Sequence, residues 1–146
     1  MSLANLQQNL ALLEKQLFWL DYSYQQTQAV DLEKSLTIDE INHLENLCSR
    51  FSRSIDFLIR RVFRSIDAAE FENQGTLIDV VNNAHKRLLF DNIDTIRTLK
   101  ELRNEIVHEY MDDGLTKLFA DVVKLSPELI TIINNTLAYG KRLLAN

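Results

Sequence analysis

The chain has 146 residues, enough for one domain with a substantial core and too few for two. A hydrophobic content of 46% with 25% charged residues fits an ordinary globular domain, while a net charge of −5 excludes nucleic-acid binding through overall basicity. Only three glycines and one proline occur, too little turn punctuation for a sheet protein, so long helices joined by short loops are expected. Cys48 is the single cysteine; it excludes an internal disulfide, has no cysteine partner for a metal site, and points to a reducing, cytoplasmic home. The apolar runs are broken by charges well short of a membrane span, and the first residues lack the pattern of a signal peptide, so no membrane association is expected.

In chain order, Leu3, Leu6, Leu10, Leu13, Leu17, Leu20 and Tyr24 alternate steps of three and four, which predicts a first helix from about Leu3 to Ala29. Phe18 and Trp19 widen its apolar stripe. Thr37-Ile38-Asp39-Glu40 reads as a capping box that opens a second helix, with the seam Ile41, Leu44, Cys48, Phe51, Ile55, Leu58 and Val62, running to about Ala68. The short connection makes these two an antiparallel hairpin. Thr76-Leu77-Ile78-Asp79 predicts another cap and a third helix from Leu77 to Phe90. Asp91-Asn92 breaks and recaps the chain for a fourth helix over Ile93–Tyr110. Leu115–Leu125 is helical, and Ser126-Pro127-Glu128 restarts or kinks it before a last stretch to about Leu144. The expected fold is all-α: one domain over residues 1–146, an antiparallel bundle of about five helices with a long N-terminal hairpin.

The chemistry is concentrated in Arg103-Asn104-Glu105-Ile106-Val107-His108-Glu109-Tyr110. Arg103 offers a planar fork of donors for a phosphate or a developing oxyanion. His108 belongs to the residue type that moves protons near neutral pH, and Tyr110 offers a modifiable hydroxyl. Arg103 and His108 are five residues apart, about 140° around a regular helix, so they share no face unless the helix bends or ends between them or two chains meet. Arg103 and Tyr110, seven apart, lie on nearly one face. The alternative for this stretch is an exposed arginine, a helix-end histidine and a core tyrosine. On the second helix, Arg53, Arg60 and Arg64 read as a solvated face, whereas Arg50 and Arg61, beside Phe57, are the candidate RNA contacts. His43 and His85 read as surface or capping residues. Glu101 and Glu105 are expected to pair with Arg97 or Lys100 and not to hold a metal, and no histidine or cysteine pair has metal-ligand spacing.

The pattern R-N-x-x-V-H-x-Y resembles the R-x-x-x-x-H-x-Y signature of HEPN-domain proteins, and most of all the HepT-type RNase toxins encoded beside an MNT nucleotidyltransferase antitoxin. The resemblance covers most of the chain, but its specificity lies in Arg103 to Tyr110. It implies a metal-independent endoribonuclease of a toxin–antitoxin system, type II or related, without a cofactor and acting on tRNA or mRNA. It implies a homodimer in which motif residues of both chains line one cleft. Arg103 and His108 would be catalytic, Asn104 would support them, and Tyr110 would be adenylylated by the MNT partner to silence the toxin. Metal-free cleavage by the neighbouring 2′-hydroxyl benefits from a base and an acid, and a two-fold axis brings two motif histidines together where one motif supplies one. The competing expectation is a non-catalytic helical adaptor, or substrate-binding subunit, of a nucleotidyltransferase.

Overall fold

The computed structural model describes residues 2–70, 75–108 and 115–146. Among these every regular element is helical: α1 (Ser2–Gln26), α2 (Ile38–Phe57), a π-helical segment (Leu58–Val62), α3 (Phe63–Ala69), α4 (Leu77–Lys86), α5 (Ile93–His108) and α6 (Leu115–Ala145). The second, π-helical and third pieces follow without a gap, so the described residues form five rods, the expected all-α bundle. No helix among them is long and apolar enough to cross a membrane.

Rod direction follows from the side chains that meet. Early in α1, Asn9 donates to Ser65 of α3, while late in α1 Trp19 lies under Arg50 of α2. The first two rods are therefore antiparallel, as the short connection requires. At the other face of α1, Glu14 pairs with Lys141 of α6 at 2.6 Å, and Phe18 and Asp21 share a groove with Ile130 and Asn134. Gly140 permits this approach: a Cβ there would stand 2.6 Å from a methyl of buried Leu10. The core is aliphatic with two fully buried phenylalanines, Phe51 and Phe63, at its centre.

Both expected capping boxes form. Thr37 accepts from the Glu40 amide and donates its own amide to the Glu40 carboxylate, and Thr76 does the same with Asp79. Each satisfies two amides that the helix start leaves without intrahelical partners.

Three boundaries differ from the sequence expectation. The first helix stops at Gln26, because Thr27 turns its hydroxyl onto the Tyr24 carbonyl at 2.7 Å and starts a turn. The third stops at Lys86 and not at Phe90. Leu88 adopts a left-handed φ of 62°, its amide reaches the His85 carbonyl and that of Leu89 reaches Ala84. This is the pair of bonds that closes a helix C-terminus, placed on a residue that is not glycine. The turn leaves Leu88 exposed and drives Leu89 and Phe90 into the core, where Phe90 stacks on His85. Burial of two large side chains outweighs the roughly 1–2 kcal/mol that the left-handed backbone costs. Finally, α6 runs through Pro127 without a restart. Pro127 is on the exposed side, and buried Ser126 returns its hydroxyl to the Val122 carbonyl at 2.7 Å. The longer fourth helix expected to Tyr110 is helical as far as His108, and Glu109 and Tyr110 lie outside the described residues.

Candidate functional site

Helix α5 presents Ile96, Leu99 and Leu102 to the core, which sets its remaining faces. Arg103 therefore stands at the flank, against α2. Its Nε and Nη2 both donate to Oδ2 of Asp56, at 3.1 and 2.9 Å, and its Nη1 donates to Oδ1 of Asn104 at 3.3 Å. The pair remains open to solvent, with the side chain of Arg103 31% and that of Asp56 37% exposed. Arg60 and Lys100 line the same small cleft with Asp56, Arg103 and Asn104. Three cations thus surround one carboxylate, a locally positive patch on a chain whose net charge is −5.

His108 is the last residue of α5 and is exposed. Because α5 is an unbroken α-helix from Ile93 to His108, the roughly 140° between Arg103 and His108 stands. Within one chain the two do not meet, and the bend or helix end between them that the sequence left open does not occur. Tyr110, the expected modification site, lies outside the described residues.

Arg50 and Arg61 are not brought together either. The Arg50 guanidinium lies 5.0 Å from the centre of the Trp19 ring, in a groove between α1 and α2 shared with Arg53 and Phe57. Arg61 is exposed on the π-helical segment and is not part of that groove. Arg53, expected to be only a solvated face, enters the groove and bonds the Ser49 hydroxyl at 2.9 Å. His85 caps the turn after α4, its Nε2 3.0 Å from the Asp91 carbonyl. Arg97 pairs with Asp94 at 2.8 Å and not with Glu101.

Compared with known protein families, curated proteins and solved structures, the chain matches none.

Two features escaped the sequence reading. Asp56 is the only acid between Arg50 and Arg64, and an isolated carboxylate on so basic a stretch is the signal that it belongs to a cation elsewhere. The second is a partly buried network around the fully buried Asp67: Arg87 donates to Asp67 and, at 2.6 Å, to Glu70, Tyr139 donates to Glu70 at 2.6 Å, and Asn83 donates to Asp67 at 3.3 Å. Burial presses the Arg87 pKa down, but its bonds and charge attraction to Asp67 and Glu70 outweigh this and raise it. The Tyr139 phenol is pushed up by burial first and by its bond to Glu70 second. This network joins α3, α4 and α6. In sequence it was visible only as Asp67-Ala68-Ala69-Glu70 and the basic run His85-Lys86-Arg87.

Proposed function

We propose that the protein is a metal-independent endoribonuclease of the HEPN toxin type, acting as a homodimer in the cytoplasm. The observation that carries this reading is the half-exposed Arg103 in a cleft of three cations, on the same helix whose end presents His108. In the proposed reaction the 2′-hydroxyl oxygen attacks phosphorus, and the bond from phosphorus to the 5′-oxygen breaks. One histidine takes the 2′ proton and another protonates the departing 5′-oxygen, leaving a 2′,3′-cyclic phosphate and a free 5′-hydroxyl. Arg103 stabilises the charge on the pentacoordinate phosphorus, exchanging Asp56 for phosphate oxygens. Since Arg103 and His108 point about 140° apart on one helix, the reading requires a second copy to complete the site.

The test is cleavage of tRNA and mRNA with and without EDTA. His108→Ala and Arg103→Ala are expected to lose roughly 10²–10⁴-fold in rate with unchanged circular dichroism. Mixing the two variant chains should recover activity. Full activity in His108→Ala, or a strict magnesium requirement, overturns the mechanism. Control is proposed to act through an AMP group placed on Tyr110 by an MNT-type nucleotidyltransferase. Peptide mass mapping after co-expression should find the added mass on Tyr110, and a modification mapped elsewhere removes this part of the reading.

One observation favours the non-catalytic adaptor: Nε and Nη2 of Arg103 are both occupied by Asp56, as in a purely structural ion pair. Under that reading the wild-type protein cleaves no RNA, and Arg103→Ala weakens binding to the nucleotidyltransferase.

A further inference from the structure

Helix α1 exposes large apolar side chains on its solvent side. Phe18 is 62%, Trp19 46% and Tyr22 51% exposed, and the three rings contact one another edge-on, Phe18 to Trp19 at 5.2 Å and Trp19 to Tyr22 at 6.0 Å. Contiguous exposed aromatics of this kind are uncommon on a protein that covers them with nothing. Beside them lies a groove of about 200 Å³ between α1 and α2, lined by Lys15, Trp19, Arg50, Arg53 and Phe57. The groove carries three cations and no carboxylate, although acids outnumber bases in the chain, 21 to 16. Arg50 forms no ion pair among the described residues and spends its guanidinium on the face of Trp19.

We infer that this groove binds single-stranded RNA, with one base taking the place of the Arg50 guanidinium on the face of Trp19 and the flanking phosphates held by Lys15, Arg53 and the released Arg50. The inference names a substrate path for the ribonuclease proposed above and rests on that reading for its choice of RNA. Aromatic rings beside a positive groove are what an unpaired strand needs: every base has a flat face to stack, and every linkage has a charge to neutralise. A paired duplex hides its base faces and so offers Trp19 nothing to stack. A second copy of the chain is the poorer occupant. It would remove from water three cations that have no ion pair among the described residues, without supplying, from this same groove, the acids to meet them.

The groove also leads toward the motif. Arg53 lines it, Asp56 lies three residues further along α2, and Arg60 follows in the cleft of Arg103. Residues three and four apart occupy adjoining positions on one helix face. Arg53 and Arg60 thus flank Asp56 along the second rod, between the groove and the cleft of Arg103.

Trp19 is the only tryptophan in the chain, so its fluorescence reports on this groove alone. The experiment titrates the full-length His108→Ala protein, in which cleavage is suppressed, with an eight-nucleotide single-stranded RNA and with the same RNA as a duplex. The single strand is expected to quench Trp19, with an affinity that falls steeply with salt, and the duplex to quench weakly. By anisotropy of labelled RNA, Trp19→Ala should bind roughly 5- to 150-fold more weakly, the range for loss of one stacked base. Trp19→Phe should bind within a few-fold of wild type, which separates stacking from any damage to the fold. Arg50→Ala together with Arg53→Ala should reduce both affinity and its salt dependence. Unquenched fluorescence at saturating RNA overturns the inference. So does a Trp19→Ala protein that binds RNA as wild type does but sediments as a monomer where wild type is a dimer, which assigns the patch to self-association. The two proposals fail separately. Quenching by a wild-type protein that cuts no RNA retains the groove and removes the nuclease, whereas cleavage with an unresponsive Trp19 does the reverse.

Discussion

Arg87 and Arg103 each ion-pair with an aspartate of the long second rod, yet their settings differ in every other respect. Arg87 is 10% exposed and meets two carboxylates, one of which, Asp67, is fully buried. Arg103 is 31% exposed and meets one, itself 37% exposed. A buried carboxylate cannot be left without a cation, because its desolvation is already committed in the fold. A half-exposed pair exchanges with water, and each partner is free to be taken by another ion. Arg87 is accordingly bound to the architecture, joining α3, α4 and α6, while Arg103 is held in place but available. An arginine proposed to grip a transient phosphate has to be of the second kind.

The largest test of this contrast is Arg87→Ala. Removing one partner of a buried pair leaves the other charge uncompensated, and a loss of about 3–5 kcal/mol of folding stability in urea denaturation is expected. A loss below about 1 kcal/mol would make the two arginines alike and end the comparison. Tyr139→Phe is expected to cost less, about 1.5 kcal/mol, the lower end for a bond to a charged acceptor because Glu70 is 30% exposed.

Tyr139 of this network and Cys48 of the core together give the fold a pH signature. The Tyr139 phenol is raised above its ordinary value of 10.0 in the fold, by burial and then by Glu70, and burial and then Glu45 push the Cys48 thiol up to about 12 from 9.0. Both groups hold their protons more tightly when folded, so the unfolded chain loses them first as pH rises. Their contribution is whole below about pH 9 and is lost progressively above it. Stability measured from pH 8 to 11 should fall, and Tyr139→Phe should fall less steeply than wild type. Cys48, buried and poor in thiolate, should react with a thiol reagent at pH 8 only after denaturant is added. Rapid labelling of the native protein would contradict this.

The smallest effect belongs to Asp56→Asn. A pair so exposed contributes on the order of 0–1 kcal/mol, so the midpoint of unfolding should hardly move. RNA affinity, in contrast, should rise, because Arg103 no longer has to leave a carboxylate in order to meet phosphate. A loss of more than about 2 kcal/mol would place Asp56–Arg103 with Arg87 as architecture and favour the adaptor reading.

Local signals determined much of this protein from sequence alone. The three-and-four spacing of Leu6, Leu10, Leu13 and Leu20 buries those leucines, and the Thr37 and Thr76 boxes start helices where they stand. Such features concern residues within one or two turns, so periodicity and capping chemistry suffice to read them. The ends of helices were less legible. Leu88 takes a backbone conformation that its own side chain disfavours, and only the burial of Leu89 and Phe90 explains it. Pro127 is carried inside α6 although proline commonly ends a helix, since its ring faces solvent and the helix on both sides is anchored in the core. The motif from Arg103 to Tyr110 was visible as letters, and its availability was not. That Asp56 steadies Arg103, that Arg50 covers Trp19, and that Arg53 belongs to a groove are contacts between rods. They depend on how helices distant in sequence are brought side by side, which tertiary packing decides and no spacing within one helix records.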